Sequence, residues 1–352
     1  MSSMPTVLES LNAALHAALA SDGRVVFLGE DVLDPYGGAF KVTRGLSTKF
    51  PDRVFTTPVS EAGIVGLATG MALRGLRPVV EIMFGDFLTL SADQLVNHLS
   101  KFRFMYNEKV QVPLVIRTPM GGRRGYGPTH SQTLDKLFLG VPGLRVLAPN
   151  ALDDPGRLLQ DAILKDNGPV LFVENKLLYN LSVQPEEQLA DFAFHKKPAG
   201  SPSRSGSSKK QARSIGYAQC IQVNLNGAPP AELTLAAYGY MAELGRQAMY
   251  SLAFEDEIFI EMIVPAQLSP FEIDPLLDSV ARTGKLLVIE EGTHSMGWGA
   301  EIVARVAEAL GTSLRSVRRV AAEDVPIPAS PPLEEAVLPG VPDILQAVHK
   351  MV

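Results

Sequence analysis

One carboxylate stands alone at the start of a predicted helix whose side chains are unusually small. The stretch is residues 56–75, TTPVSEAGIVGLATGMALRG, and its acid is Glu61. Glycine in a helix costs about 1 kcal/mol relative to alanine, so these glycines oppose the helix that the periodicity predicts. The carboxyl group could exchange a proton with a ligand. It could equally do no more than interact with the helix dipole, which is worth about 0.3–1 kcal/mol.

Other polar and aromatic residues follow predicted strands at their carboxyl ends. Glu30 lies in GED (29–31), Phe87 ends FGDF, and His130 lies in GGRRGYGPTHSQ. Ligands of open parallel sheets bind beyond the carboxyl ends of the strands, which makes these residues site candidates. Each has a simpler alternative: Glu30 as the cap of a loop, Phe87 as core, and His130 as a surface residue of a glycine-rich loop.

The elements that must position these residues alternate along the chain. The first half predicts helices at 5–20, 60–75, 91–106 and 155–165 and strands at 25–29, 53–57, 78–84, 113–118, 144–149 and 169–175. The second half predicts strands at 233–239, 258–264 and 285–292, helices up to 253, at 272–281 and at 299–310, and a short terminal helix. Continuous apolar strands separated by helices are typical of parallel α/β sheets.

A change in composition separates the two halves. Residues 196–214, KKPAGSPSRSGSSKKQARS, contain serine, glycine, proline and basic side chains and little that could be buried. Such a segment predicts a linker or a disordered loop. We therefore divide the chain into a first α/β domain (1–190), a linker (191–229) and a second α/β domain (230–352).

Composition limits the function classes. The chain has 352 residues, 46% of them hydrophobic and 20% charged, with a net charge of −6. The negative charge argues against nucleic acid as the main partner. The absence of an apolar run of about 18 residues argues against a membrane span. One cysteine, Cys220, excludes an internal disulfide, and the N-terminal residues show no targeting peptide, so we expect a cytoplasmic protein.

Several motifs together resemble a known family. They are GEDV, YGGAFKVTRGL, TPVSEAGIVGLATGMALRGLRPVVEI, GPTHSQ, PGLRVLAPN, GWGAEIVARVAE and PIPASPPLEEAVLP. The chain is similar over nearly its whole length to the β subunit of 2-oxo acid dehydrogenase E1, a thiamine diphosphate-dependent family that includes pyruvate and branched-chain enzymes. The resemblance implies a transketolase-like pyrimidine-binding domain followed by a transketolase C-terminal-like domain. It lapses mainly at 190–230.

The resemblance also implies residue roles. Glu61 matches the acid that activates the cofactor's aminopyrimidine at N1′. Phe87 matches an aromatic residue that stacks on this ring, Val59 an apolar contact to the cofactor, and Glu30 an acid close to it. His130 matches an active-site histidine that orients the 2-oxo acid and assists acyl transfer. Val59 could also be filler, and Arg123 and Arg124 could meet the substrate carboxylate or be solvated. We interpret His294 as structural.

Partners and ions follow from the same resemblance. The family holds the diphosphate through Mg²⁺ with a Gly-Asp-Gly segment that this chain lacks, so an α subunit is expected to supply it, in an α2β2 heterotetramer. The second domain is expected to bind the other β subunit and the E2 lipoyl acyltransferase. A structural K⁺ is a further expectation, around Leu114 and Asn167.

Alternatives remain at this point. The basic stretch 195–213 is either a solvated loop or a docking segment for an acidic partner. The chain could also be half of a transketolase-like or synthase enzyme, or a non-catalytic scaffold. Retention of Glu61, Phe87 and His130 favours an enzyme, and THSQ with the SPPLEEAVLP segment favours a dehydrogenase.

Overall fold

Two compact units make up the computed structural model, which describes residues 4–184, 189, 191–198 and 218–352. The first unit contains Met1–Met120 and Leu137–Val183. The second contains Gln184–Val352 together with Gly121–Lys136. The segment Gly121–Lys136, which carries His130, therefore belongs to the second unit although it lies within the first predicted domain.

The first unit is built on a parallel sheet. Its strands are β1 (Val25–Gly29), β2 (Val54–Thr56), β3 (Arg77–Glu81), β4 (Val115–Met120), β5 (Arg145–Leu147) and β6 (Val170–Asn175). The order across the unit is β5-β6-β4-β3-β1-β2, with every pairing parallel. All residues of β1, β3 and β4 are buried, as expected for a sheet covered on both faces.

Helices connect these strands. They are α1 (Val7–Ser21), α2 (Leu46–Lys49), α3 (Glu61–Leu73), α4 (Phe102–Met105) and α5 (Pro155–Lys165). Local signals fix their ends: Thr6 and Glu9 form a capping box on α1, and Asp154 caps α5 with Pro155 at its first position.

The helix predicted from 91 to 106 is interrupted. A 3₁₀ segment, Gly85–Ser91, is followed by a π-helical turn at Gln94–Leu99 and then by α4. The hydroxyl of Ser100 donates to the carbonyl of Val96 at 2.9 Å, a side-chain bond that competes with the regular ladder and bends helices.

The second unit contains a mixed sheet. Its strands are β7 (Phe192–Pro198), β8 (Gln219–Leu225), β9 (Leu233–Ala237), β10 (Ile260–Pro265), β11 (Gln267–Ser269), β12 (Lys285–Thr293) and β13 (Ser316–Ala322). Six of them run in the order β13-β12-β9-β10-β8-β7. β8 is antiparallel to both of its neighbours, β7 and β10. The strands β9, β10, β12 and β13 are parallel to one another.

The predicted linker 191–229 is corrected at both ends, because β7 and β8 lie within it. Their burial explains the miss. Phe192 is buried in β7 while Ala193–Lys197 are not, and in β8 Ile221 and Val223 are buried while Gln222 between them is not, so these strands lack a long apolar run. The serine- and lysine-rich middle, 199–217, lies outside the described residues, as does most of the basic stretch 195–213.

Five helices complete the described part of the second unit: α6 (Met241–Glu255), α7 (Asp274–Thr283), α8 (Trp298–Leu310), α9 (Pro331–Val337) and α10 (Val341–His349). No helix in the described part of the chain combines the length and apolar character needed to cross a bilayer.

Candidate functional site

Glu61 is the first residue of α3 and is buried, with 5% of its surface exposed. Its neighbour Ser60 occupies the N-cap position, but the Ser60 side chain makes no capping hydrogen bond. The carboxyl group therefore lies among the unpaired N–H groups of a helix start, where a negative charge is favoured. A solvated cap would be exposed, so the burial of Glu61 counts against the simplest alternative.

Glu30 follows β1 and forms a carboxyl pair with Glu61. It is 7% exposed, and its Oε1 atom is buried with no hydrogen-bond partner among the described residues. Burial raises the pKa of Glu30, the negative charges of Glu61 and Asp31 raise it further, and the backbone N–H of Ser60 donates to it and lowers it. An orphaned buried carboxylate oxygen is costly, and a bound ligand is one way to satisfy it.

Phe87 lies in the 3₁₀ segment that follows β3, and this segment packs against α3. Its ring is half-buried and meets Phe84 edge-on, with ring centroids 5.8 Å apart. Phe84 in turn contacts Phe40 edge-on at 5.6 Å. Phe87 is thus held by an aromatic cluster without being fully enclosed, so part of its surface is open to a stacking partner.

Val59 precedes the carboxyl pair and is 81% exposed. It does not fill the core of its unit. An exposed valine next to two buried acids is available to pack against a molecule outside the chain. Glu30, Val59, Glu61 and Phe87 all lie in the first unit, whereas His130 lies in the second.

The outer face of α3 is open. A Cβ atom on Gly70 would meet nothing within 4 Å, and one on Gly63 would meet only the side chain of Ser60. Leu67, on the same helix, is 56% exposed. Side chains on Gly63 and Gly66 would press on Ser60 and Gln94, at 2.9 and 3.2 Å, whereas no described neighbour explains Gly70.

A K⁺ ion was expected around Leu114 and Asn167, but the chain already places a cation, Arg77, against Asn167. The buried guanidinium of Arg77 donates to the carbonyl of Ile163 at 2.7 Å, to that of Asp166, and to Oδ1 of Asn167 at 3.5 Å. A second cation beside Arg77 would be repelled. The potassium site stays a prediction that these contacts do not favour.

A buried ion cluster near the carboxyl ends of β3, β4 and β6 was missed by sequence reasoning. Arg117 donates to both oxygens of Glu174, at 2.9 and 2.6 Å, and to Glu81. The Tyr179 hydroxyl donates to Glu174 at 2.5 Å. Burial raises the pKa of Glu81, and Arg117 opposes that shift. The signal was present: a basic residue inside the apolar strand PLVIRT must find buried partners.

His130 lies in the segment Gly121–Lys136 of the second unit. Its backbone N–H donates to the carbonyl of Gly127 at 3.3 Å, and its Nδ1 lies 2.9 Å from Oγ1 of Thr129. Arg123, considered above as a contact for the substrate carboxylate, instead pairs with Glu291 at 3.3 Å and donates to the carbonyl of Pro339. Its charge is therefore already neutralised.

The described residues contain no cluster of three or more histidine, cysteine, aspartate or glutamate side chains suited to a metal ion. Glu30, Val59, Glu61 and Phe87 belong to one unit, and Glu30 and Glu61 are close enough for the charge of Glu61 to act on Glu30.

Comparisons with known proteins identify the two domains of the chain. Residues 3–182 match the family described as "Transketolase, pyrimidine binding domain", and residues 227–344 match "Transketolase, C-terminal domain". A solved structure described as "Split gene transketolase, inactive beta4 tetramer" is similar with a TM-score of 0.70 over 98% of each chain. Its sequence identity is 20%, so the likeness concerns the fold.

Three curated relatives match almost the whole chain. The pyruvate dehydrogenase E1 component subunit beta-1, mitochondrial, of Arabidopsis thaliana is 35% identical, covering 97% of this chain and 88% of the relative. The pyruvate dehydrogenase E1 component subunit beta of Rickettsia bellii is 35% identical over 98% of both. The acetoin:2,6-dichlorophenolindophenol oxidoreductase subunit beta of Cupriavidus necator is 33% identical, covering 97% and 95%.

Proposed function

Since the chain belongs to the family of 2-oxo acid dehydrogenase E1 β subunits, we propose that it supplies the pyrimidine half of a thiamine diphosphate site. The reaction proposed is the oxidative decarboxylation of a 2-oxo acid with acyl transfer to a lipoyl group. The observation that carries this proposal is a buried pair of glutamates. Glu30 follows β1 and has an orphaned carboxylate oxygen, and Glu61 begins α3.

Glu61 is the residue that acts on the cofactor. When bound, thiamine diphosphate supplies an electron sink for decarboxylation. Glu61 holds a proton at ring nitrogen N1′ of the aminopyrimidine, and its burial keeps water from competing for that contact. Burial and the negative charges of Glu61 and Asp31 raise the pKa of Glu30, which favours its protonated form. The chain thus provides a proton at one fixed position.

Phe87 and Val59 orient the same ring. Phe87 offers part of its aromatic surface for offset stacking, worth about 0.5–1.5 kcal/mol beyond burial, and its neighbour Phe84 restrains it. Val59 contributes an apolar contact from the side of the carboxyl pair. His130 is the remaining catalytic residue of the proposal: its imidazole orients the 2-oxo acid and moves a proton when the acyl group leaves.

An α subunit completes the site in this proposal. The sequence lacks Gly-Asp-Gly, and the described residues offer no metal cluster, so the α subunit is the expected holder of Mg²⁺ and the diphosphate. The open face of α3 is the surface proposed for its approach, because glycines there admit another backbone closely. We propose an α2β2 assembly that passes its acyl group to an E2 lipoyl acyltransferase.

Substrate choice stays within small 2-oxo acids and acetoin. The relatives named for pyruvate and for acetoin are similarly distant from this chain, at 35% and 33% identity. Steady-state assays of the assembled enzyme with pyruvate, branched-chain 2-oxo acids and acetoin would decide among them.

The test is Glu61→Gln in the assembled α2β2 enzyme. We expect a loss of activity of about 100- to 10,000-fold, the range for removal of a positioned acid or base. The melting temperature should hardly change, because glutamine keeps the size of the side chain. Glu108→Gln is the matched control, since this exposed acid of the first unit should leave activity intact. Normal turnover by Glu61→Gln would falsify the mechanism.

A second measurement separates an enzyme from a scaffold. Thiamine diphosphate with Mg²⁺ should raise the melting temperature of the αβ assembly, as expected for any ligand that binds the folded state. The shift should be smaller with Glu61→Gln. An assembly that forms normally yet shows no cofactor-dependent shift would identify a non-catalytic scaffold.

A further inference from the structure

The glycine-rich loop GGRRGYG (121–127), just before His130, is held by carboxylates from distant parts of the second unit. Glu334, on α9, is 2% exposed. Its Oε1 accepts from the backbone N–H of Arg123 at 2.7 Å, and its Oε2 accepts from that of Gly125 at 3.0 Å. Both oxygens of one buried carboxylate are thus used to fix the loop backbone.

Glu291, on β12, binds the backbone of Gly122, the residue before Arg123. It is 4% exposed, and its Oε1 accepts from the backbone N–H of Gly122 at 2.8 Å. Its Oε2 faces the Arg123 guanidinium at 3.3 Å. Three successive anchor points therefore restrain residues 122–125, and all of them are charge-assisted hydrogen bonds, which are the stronger kind.

Shape supports the same attachment. A Cβ atom on Gly122 would lie 2.4 Å from Cδ1 of Leu338, so a side chain there would require Leu338 to move. Gly125 and Gly127 have φ values of +68° and +76°, and both lie against Ala329. These glycines let the loop lie close to the segment 329–338.

We propose that Glu334 is a positioning residue: its carboxylate clamps the backbone of Arg123 and Gly125 and thereby sets the place of His130. Glu291 assists it. The proposal extends the proposed function, because it gives the C-terminal α9 a part in catalysis through the loop. Glu334 touches neither substrate nor cofactor in this scheme.

Limited proteolysis tests the clamp without any assay of activity. Trypsin cleaves after Arg123 and Arg124 only if the loop backbone leaves its anchors. With the full chain, Glu334→Ala should raise the rate of cleavage at these two bonds at least tenfold. Mass spectrometry of the new chain ends measures this rate. Glu334→Gln should raise it less, because an amide retains one acceptor oxygen. Glu335→Gln, a change to the exposed neighbouring acid, should leave the rate unchanged.

Global unfolding is separated from loop release by the other cleavage sites. In Glu334→Gln, which keeps the side-chain volume, cleavage after Arg123 and Arg124 should rise while cleavage elsewhere keeps the wild-type rate. Glu291→Gln should have the same selective effect. Wild-type cleavage rates at these bonds in Glu334→Ala and Glu334→Gln would overturn the clamp, whatever the activity of the variants.

The assembled enzyme gives the second readout. Glu334→Gln should lower kcat several-fold and raise KM for the 2-oxo acid, while the affinity for thiamine diphosphate is unchanged, because Glu61 and Phe87 are untouched. Glu334→Asp should recover part of kcat. Faster cleavage without any loss of kcat would overturn the positioning of His130 by Glu334 while leaving the function proposed for Glu61 intact, so the two proposals fail separately.

Discussion

Two pairs of buried glutamates in this chain have opposite surroundings. Glu291 and Glu334 accept backbone N–H groups from the loop 122–125, and both Glu334 oxygens are occupied. Glu30 follows β1 and Glu61 begins α3; an oxygen of Glu30 has no partner among the described residues, and burial together with the negative charge of Glu61 raises the pKa of Glu30. A saturated carboxylate stabilises its own unit. An unsaturated one is a cost that a ligand can remove.

The glycines near each pair differ in the same way. Those of the loop 121–127 are required by positive φ or by close packing inside the second unit. Those of α3 include Gly70, which has open space around it. Glycine-rich sequence therefore has two roles in one chain. In the loop 121–127 it fits the backbone to the rest of the second unit, and in α3 it leaves a helix face bare for another molecule.

The largest effects should come from substituting each of the two glutamate pairs and comparing activity with stability. Glu30→Gln combined with Glu61→Gln should lower turnover of the assembled enzyme by at least about 100-fold and leave the free energy of unfolding unchanged or higher. Glu334→Ala should lower the free energy of unfolding by about 1–3 kcal/mol, because it leaves two partly buried backbone donors unpaired. Activity assays and urea denaturation of both variants measure this.

The comparison would break if the two variants behaved alike. A double variant at 30 and 61 that lost as much stability as Glu334→Ala would show that the first pair is structural too. Glu335→Gln is the control for both measurements, since it removes an exposed carboxylate next to Glu334.

Two glycine substitutions should move stability in opposite directions. Gly70→Ala should raise the free energy of unfolding of the chain by about 0.5–1 kcal/mol, because alanine favours the helix and its Cβ meets no neighbour. Gly127→Ala should lower it by about 1–2 kcal/mol, because its φ of +76° disfavours a side chain. Urea denaturation of each variant gives the sign.

Association with an α subunit gives a second test of the same two glycine substitutions. If an α subunit approaches α3 closely, Gly70→Ala should weaken the association while it stabilises the chain alone, and Gly127→Ala should not change the association through this face. Analytical ultracentrifugation of each variant with α would show it. Equal affinities for wild type and Gly70→Ala would remove the proposed role of the bare helix face.

Sequence reasoning succeeded where the signals are local. The helix predicted at 155–165 and the strand predicted at 25–29 agree with α5 and β1, because a cap, a proline and a continuous apolar run mark their limits. The parallel order also indicated Glu30 and Glu61 as site candidates beyond strand ends. What it could not give was the orphaned oxygen, which depends on how each carboxylate is buried.

Contacts between distant residues were beyond its reach. Nothing near Glu334 indicates that it binds backbone groups 209 and 211 positions away. The sequence of the loop GGRRGYG does not tell whether it is flexible or tightly fitted, because glycine permits both. The edge strand β7 and its neighbour β8 were missed for a related reason, since a partly exposed strand beside a polar segment has too weak an apolar pattern to be recognised.

The smallest effect concerns pH and Glu30 alone. Its pKa is raised in the folded chain above the ordinary value of 4.5, so as pH rises past that value the unfolded carboxyl ionises before the folded one. Ionisation of Glu30 therefore lowers the free energy of unfolding between about pH 4.5 and its folded pKa, with no further change above it. Glu30→Gln removes this loss and keeps an oxygen that can accept from the N–H of Ser60. Urea denaturation should show the variant's advantage over wild type growing as the pH rises above 4.5 and then levelling off. A constant difference across this range would mean that neither burial nor the charge of Glu61 raises the pKa of Glu30, and the contrast between the two glutamate pairs would then rest on hydrogen bonding alone.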